Sequence, residues 1–369
     1  MKVALIHDHL AQDGGAEKVL KVLAEMFPQA PIYTLLYEKK HADKYFKHRQ
    51  IQTSIIQRIP WGVKMYRWYL PFMSLAVEFF DLSAYDLVIS DTSSFAKGVI
   101  TNANTVHLCY CHTPTRYLWS DTHSYIKELK YNKYFKKIIA LSLKKIRIWD
   151  RLAADRPDYF IANSRFVAAR IKKYYRRDSL VIYPPVETDK FVIAAEPADY
   201  FLAGGRLVPY KRFDLLIDAF KVNGKKLKIF GDGSDVPRLR QLADGAPNIE
   251  FLGRVSEEEK INLYSRALAF INPQEEDFGI TMAESLASGR PVIAYNRGGA
   301  REIVEDGVNG LLFDQQHTAS LNSALERFQS SNFSPTAIKA GAQKFSVNRF
   351  KEEVSRLIEE KMAGLKNNQ

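Results

Sequence analysis

The stretch from Ala267 to Tyr295 constrains this chain more than any other. An apolar run, Ala267 to Ile271, leads into Asn272-Pro273-Gln274-Glu275-Glu276-Asp277-Phe278-Gly279-Ile280-Thr281, a helix-length segment follows to Arg290, and a second apolar run spans Pro291 to Tyr295. Short apolar runs bounded by turn residues read as buried strands, and a helical connection between them makes the strands parallel. The helix N-terminus then sits beside the carboxyl end of the first strand, where open α/β sheets bind ligands. Gly279 admits close backbone approach, and the amides of Gly279, Ile280 and Thr281 are placed to meet an anion such as a phosphate. Glu276 precedes the helix, while Glu284, eight residues on, lies one turn inside it. Carboxylates repel phosphate, so sugar hydroxyls are their natural donors, and a nucleotide-sugar offers hydroxyls on both sides of a diphosphate. The competing reading is a solvated acidic turn followed by a helix acid favoured by the dipole.

Other segments repeat the strand-loop-helix arrangement. Val3 to Ile6 reads as a buried strand and Ala16 to Met26 as a helix, with His7 to Gly15 between them and Gly14-Gly15 at the helix start. Neither G-x-G-x-x-G nor G-x4-G-K-[ST] occurs, which argues against a dinucleotide oxidoreductase and a P-loop NTPase. Val106 to Cys111 reads as a strand ending at His112, where ligands meet parallel sheets. Tyr200 to Ala203 opens the second half of the chain and runs into Gly204-Gly205-Arg206-Leu207-Val208-Pro209-Tyr210-Lys211. Arg206 as a planar fork and Lys211 as a point charge together suit a diphosphate, although either alone reads as surface charge.

Glu276 through Glu284, with Leu286-Ala287-Ser288-Gly289-Arg290-Pro291-Val292 behind it, resembles the E-x7-E signature of the GT-B retaining glycosyltransferases of family 4. It looks most like the bacterial GDP-mannose-dependent mannosyltransferases of surface-polysaccharide (O-antigen or exopolysaccharide) biosynthesis. The run His112-Thr113-Pro114-Thr115-Arg116-Tyr117-Leu118-Trp119 is similar to the HTP-x-RYLW element of that subgroup, and Gly205 to Lys211 to the family's G-R-L-x3-K. Pro184-Pro185-Val186 departs from the Asn-Gly-Val more usual there. The resemblance implies an α/β fold of the GT-B class, two Rossmann-like domains with parallel sheets facing across a cleft. It implies an acceptor-side domain at 1–186, a nucleotide-sugar domain at 187–345, and a helix within 346–369 crossing back onto the first. Roles carry over residue by residue. His112 lies against the donor hexose; Arg206 and Lys211 hold the diphosphate, approached also by the backbone of Gly14 and Gly15. Val255 meets the base, Glu276 the hexose hydroxyls and Glu284 the ribose hydroxyls, with Phe278, Gly279 and Ile280 beside the donor. The implied reaction is retaining hexosyl transfer to a glycan or lipid-linked saccharide acceptor, with GDP-mannose the expected donor and neither a cofactor nor a metal required. A UDP-hexose donor and a non-catalytic membrane-associated scaffold remain as alternatives.

Composition bounds the partners. At 369 residues and 46% apolar content the chain fits two folded domains, with disorder expected only at Lys366 to Gln369. A formal charge of +11 and a pI near 9.3 call for an acidic partner. The charge is spread over a folded body with no basic tail, which favours a nucleotide or an anionic membrane surface over nucleic acid. The start Met1 to Leu10 is too short an apolar run for a signal peptide, and no run reaches the ~18–20 residues of a membrane span. A cytoplasmic protein, peripheral on the cytoplasmic face of the inner membrane, is expected. Cys109 and Cys111 alternate along one strand and read as reduced core thiols; a metal site built on them with His107 and His112 has unsuitable spacing. Residues 55–80 mix Trp61, Trp68, Phe72 and Phe79 with Arg58 and Lys64, which suits either a membrane interface or an aromatic core with cationic edges. From Tyr125 to Arg151, nine Lys and Arg, Lys130 among them, outnumber two acids, and apolar residues interleave with them. One or two amphipathic helices with a basic face, docking on anionic lipid without insertion, are expected there.

Overall fold

Runs such as Leu227–Asp232 and Val292–Tyr295 are short, aliphatic and bounded by turns, and they form strands whose apolar side chains are almost wholly buried. That is the environment of a parallel sheet covered by helices on both faces. The computed structural model describes residues 1–11, 14–59, 66–128 and 132–367. Gln12 and Asp13 of the glycine loop, Trp61, Lys64, Lys130, and Asn368 and Gln369 lie outside the described residues. The chain divides into two compact units, Met1–Tyr183 with Phe350–Gln369, and Pro184–Arg349.

The first unit contains strands β1 (Val3–Leu10), β2 (Ile32–Tyr37), β3 (Ile51–Thr53), β4 (Leu87–Thr92), β5 (Val106–Cys111), β6 (Tyr159–Ala162) and β7 (Ser179–Val181). They form one sheet in the order β3-β2-β1-β4-β5-β6-β7, every pair parallel. Helices α1 (Gly15–Met26), α2 (Lys39–Phe46), α3 (Leu70–Glu78), α4 (Thr122–Glu128), α5 (Lys133–Ala153) and α6 (Arg165–Tyr175) connect the strands. The second unit carries β8 (Phe201–Arg206), β9 (Leu227–Asp232), β10 (Ile249–Gly253), β11 (Phe270–Asn272), β12 (Val292–Tyr295) and β13 (Gly310–Phe313). Their order, β10-β9-β8-β11-β12-β13, is again parallel throughout. Its helices are α7 (Phe213–Asn223), α8 (Val236–Leu242), α9 (Glu257–Arg266), α10 (Ile280–Ala287), α11 (Ala300–Ile303), α12 (Thr318–Arg327) and α13 (Pro335–Ala342), and α14 (Val347–Asn367) closes the chain. Both units are therefore Rossmann-like. Each sheet reverses its strand order once, between β1 and β4 and between β8 and β11, and the carboxyl ends flanking such a switch point form a ligand-binding crevice.

Several boundaries differ from the sequence expectation for physical reasons. β1 runs past Ile6 to Leu10 because the polar residues inside it find partners. The buried Asp8 carboxylate accepts hydrogen bonds from the Thr92 hydroxyl at 3.0 Å and from the amides of Ser93, Phe95 and Ala96 at 2.7, 2.8 and 2.7 Å. Burial alone would raise its pKa, but the charges of His9 and His7 and the amides of Ala96 and Ser93 hold it below the usual carboxylate value. Within the basic stretch, residues 125–128 lie in α4 and 133–151 in α5, and α14 continues through Lys366 to Asn367 where disorder was expected. Of the aromatic stretch, Tyr69 and Phe80 pack beside Met73 and Val77 of α3 in the core, as the aromatic-core reading anticipates, while Trp68, Phe72 and Phe79 stay exposed. Cys109 and Cys111 are buried free thiols in one apolar cluster, and burial raises both pKa values.

Asp8 accepts three of the amides in the turn after β4, those of Ser93, Phe95 and Ala96, while the Ser94 amide donates to Thr92 Oγ1 at 3.0 Å. Asp8→Ala leaves the buried amides of Phe95 and Ala96 without an acceptor and is expected to cost about 3 kcal/mol of unfolding free energy. Urea denaturation checks this, and a loss well under about 1 kcal/mol would separate the turn from Asp8.

Candidate functional site

In the first unit, the switch point gathers charge. His7 of β1 pairs in register with Asp91 of β4, and the strand ends place His112 immediately after β5. The Asp91 carboxylate is fully buried and shared: Oδ1 lies 2.6 Å from His112 Nε2 and Oδ2 lies 2.9 Å from His7 Nδ1. The other nitrogen of His7, Nε2, is 3.8 Å from Glu17 Oε1, and Glu17 Oε2 accepts the Gly14 amide at 2.9 Å. One chain of contacts thus runs from His112 through Asp91, His7 and Glu17 to the start of α1. Burial by itself would lower the His7 pKa, yet the hydrogen bonds and charges of Asp91 and Glu17 outweigh it and raise the value to about 10. For Asp91, burial pushes upward and is overcome by His112 and His7, so its pKa falls below the ordinary value. An ionised carboxylate only accepts, so the His112 proton sits on Nε2 and Asp91 sets both its tautomer and its orientation.

His107 belongs elsewhere. It meets Ser90 Oγ at 2.8 Å, and burial together with the charges of Arg156 and Arg177 lowers its pKa to about 3. Among the described residues no group of three or more His, Cys, Asp and Glu side chains could hold a metal ion.

In the second unit, the loop between β11 and α10 carries Glu276, whose Oε1 lies 2.7 Å from Lys211 Nζ and 2.8 Å from Gln274 Nε2. Lys211 follows β8 across the switch point, so the ion pair joins the two strands that flank the crevice. Arg206, the last residue of β8, is exposed and donates from Nη2 to the Tyr210 hydroxyl at 3.2 Å. Gly279 caps α10 with φ 108°, a left-handed conformation that favours glycine. Gly298 and Gly299 press against the same loop: the Gly299 amide donates to Glu276 O at 2.8 Å. A Cβ at either glycine would stand 2.3 Å from Glu276 O or 2.2 Å from Phe278 O. Glu284 lies one turn inside α10, buried, with Oε1 3.2 Å from Lys260 Nζ of α9. Both glutamates of the motif therefore hold a lysine.

The remaining expected residues fall nearby with different exposure. Val255 is half-buried in the turn after β10, next to Arg254, which pairs with Asp232 at 3.0 Å. The Phe278 ring is buried edge-on against Phe345 at 5.5 Å, so it offers a ligand only its backbone. Ile280 begins α10 half-buried, and Gly14 and Gly15 stand at the N-terminus of α1. Sequence reasoning missed His7, Asp91, Glu17, Gln274 and Lys260. A polar residue interrupting an apolar strand at its carboxyl end was the available signal for His7 and Asp91; Lys260, inside an ordinary charged helix, gave none.

Comparison with known proteins adds two family matches. Residues 13–190 match Glycosyltransferase Family 4 and residues 186–345 match Glycosyl transferases group 1. A glycosyltransferase of Methanocaldococcus jannaschii, itself uncharacterised, is 31% identical over 194 residues, 50% of this chain and 54% of that protein. Alpha-1,3/1,6-mannosyltransferase ALG2 of Dictyostelium discoideum is 28% identical over 289 residues, 65% of this chain and 66% of that protein. The chain thus spans between about half and two thirds of the length of these relatives. The crystal structure of Anabaena HepE in complex with UDP superposes with a TM-score of 0.71 at 18% identity, covering 98% of this chain and 100% of that one. At that identity the likeness speaks for the fold alone.

The raised His7 pKa predicts a pH effect with a definite sign. A pKa lifted from 6.5 to about 10 stabilises the fold fully below the unfolded value and ceases to do so as pH rises through about 10. The melting temperature of the native chain should exceed that of His7→Asn by several degrees at pH 6 to 7, and the gap should close by pH ~10. A gap constant across that range would mean that His7 is not held protonated.

Proposed function

We propose, on the premise that the chain belongs to the GT-B glycosyltransferases of family 4 and group 1, that it transfers a hexose from a nucleotide-sugar to a glycan or lipid-linked saccharide. The observation that carries this reading is the Lys211–Glu276 pair across the switch point of the second unit. A cation and a carboxylate held within 2.7 Å of each other suit a ligand that carries phosphate and hydroxyls side by side. On donor binding Lys211 turns to the diphosphate together with Arg206, and Glu276 is released to accept from the hexose hydroxyls. Glu284, steadied by Lys260, takes the ribose hydroxyls.

In the transfer, the bond between the anomeric carbon and the phosphate oxygen breaks while the acceptor oxygen bonds to that carbon on the same face. The acceptor's proton passes to the departing phosphate. No protein base is needed, and the work left to the protein is to stabilise the growing negative charge on the diphosphate. Arg206, Lys211, the Gly279–Ile280 backbone at the α10 N-terminus and that of Gly14–Gly15 carry it, without a metal. His112, fixed by Asp91, is assigned to the hexose at the reacting centre.

GDP-mannose is the donor this reading favours, supported by the run from His112 to Trp119 and by the ALG2 mannosyltransferase relative. A UDP-hexose is the second reading, supported by the structural likeness to HepE bound to UDP. The setting proposed is surface-polysaccharide assembly, on an acceptor at the cytoplasmic face of an anionic membrane. Among the described residues no helix is long and apolar enough to cross a membrane.

Thermal stabilisation by GDP, GDP-mannose, UDP and UDP-glucose, each with EDTA present, separates the donors. Guanine nucleotides alone should raise the melting temperature; a shift with uridine nucleotides alone would replace the donor, and none with any would remove the transferase reading. Lys211→Ala should lower turnover by about a hundredfold or more while the fold remains intact. Near-native turnover in that variant would dissociate Lys211 from the diphosphate.

A further inference from the structure

Helix α5 is amphipathic twice over. Its inner row, Ile139, Leu143 and Ile146, packs into the core against the cluster that includes Met73 and Val77 of α3. On the same inner side Asp150, fully buried, accepts from Lys97 Nζ at 2.5 Å, Thr115 Oγ1 at 3.0 Å and Trp119 Nε1 at 2.7 Å. Arg147 donates to the Leu118 carbonyl and, at 3.2 Å, to Thr122 Oγ1. The inner face of α5 therefore fastens the segment that follows His112.

The outer row is apolar where a solvated helix would be polar. Tyr134, Ile138, Leu141, Ile148 and Leu152 recur at three- and four-residue steps, with Lys145 filling the one gap, and all five are 56 to 66% exposed. A matching row, Trp68, Phe72, Leu75 and Phe79, runs along α3 and the turn before it, with Phe79 70% exposed. Trp149, next to Ile148, donates to Glu78 Oε1, next to Phe79, at 2.7 Å, so the two rows meet. Contiguous exposed apolar surface on a folded domain marks an interaction site. The charges along its edge indicate the partner. Lys133, Lys137 and Lys144 are exposed on one flank of the α5 row with Arg151 beside them, and the single acid of the helix, Asp150, is consumed in its buried pair.

We propose that the outward face of α3 and α5 seats the first unit on an anionic bilayer, its apolar rows entering the interface and Lys137 and Lys144 meeting lipid phosphates. An amphipathic helix with an apolar face and a basic flank lies in the headgroup boundary, and each added cation strengthens its hold on anionic lipid. This deepens the anionic-surface partner of the proposed function and alters the sequence expectation, which was docking through charge without insertion. Because the other side of α5 holds the segment after His112, seating this helix also sets the height of that segment above the lipid, where a lipid-linked acceptor would present its sugar.

Cosedimentation of the full chain with vesicles tests it. Binding to vesicles of equal phosphatidylcholine and phosphatidylglycerol should exceed binding to pure phosphatidylcholine by about tenfold or more. Leu141→Glu with Ile148→Glu, and separately Lys137→Glu with Lys144→Glu, should each weaken anionic binding by about tenfold. All four side chains are exposed, so the variants fold, and the nucleotide thermal shift measured on the same samples verifies it. Undiminished vesicle binding by the Leu141/Ile148 variant, or equal binding to both vesicle types, would overturn the proposal. A dimer in light scattering that this variant disperses, with no vesicle binding by the native chain, would assign the face to a second copy and overturn it as well. Either failure with the nucleotide shift intact leaves the transferase reading standing, whereas loss of the shift in the native chain strikes that reading alone.

Discussion

A single buried carboxylate, Asp91, holds two imidazoles at once, and the candidate chemistry of the first unit depends on that sharing. Burying an anion is costly unless it is paired and hydrogen-bonded. Here the compensation comes from His7, kept protonated between Asp91 and Glu17, and from His112, whose ring is fixed in turn. The arrangement needs β1, β4 and β5 side by side in register, so sheet topology and site geometry are one constraint. It also ties the start of α1 to His112 through Glu17, which accepts the Gly14 amide.

The second unit solves a similar problem with lysine in place of histidine. Glu276 and Glu284 each hold a lysine, one at the exposed rim and one in the interior. The difference in burial separates their tasks. Lys211 and Glu276 are 14% and 16% exposed, so their pair stays within reach of solvent. Glu284 is 4% exposed and Lys260 10%, which makes that pair a fixture of the packing between α9 and α10.

Much of this was legible from residue order. The two parallel sheets follow from short apolar runs separated by helix-length segments, and the E-x7-E spacing put Glu284 one turn inside its helix, as α10 does. What escaped depends on three-dimensional pairing. His7 and Asp91 are 84 residues apart and meet only because β1 and β4 are neighbours in the sheet. Asp8 interrupts an apolar run and reads as a strand end; its four donors lie 84 to 88 residues away, so β1 continues through it. From residue order, the inner and outer faces of α5 could not be told apart, for a related reason. Charge counting found the lysines, but only the packing of Ile139, Leu143 and Ile146 fixes which side is the interior, leaving a second apolar row outside.

The paired glycines at 298 and 299 bear on how such a protein can diversify. Their α-hydrogens lie where any side chain would strike the carbonyls of Glu276 and Phe278. Two consecutive βα loops of the second unit are thereby interlocked, and neither can lengthen or tilt without displacing the other. Descendants of this chain that acquire a new donor are consequently steered away from remodelling this wall of the crevice. Change should accumulate instead in segments such as that after β10, where a Cβ on Gly253 would meet no neighbour, so that the two interlocked loops are inherited as a block while that segment drifts.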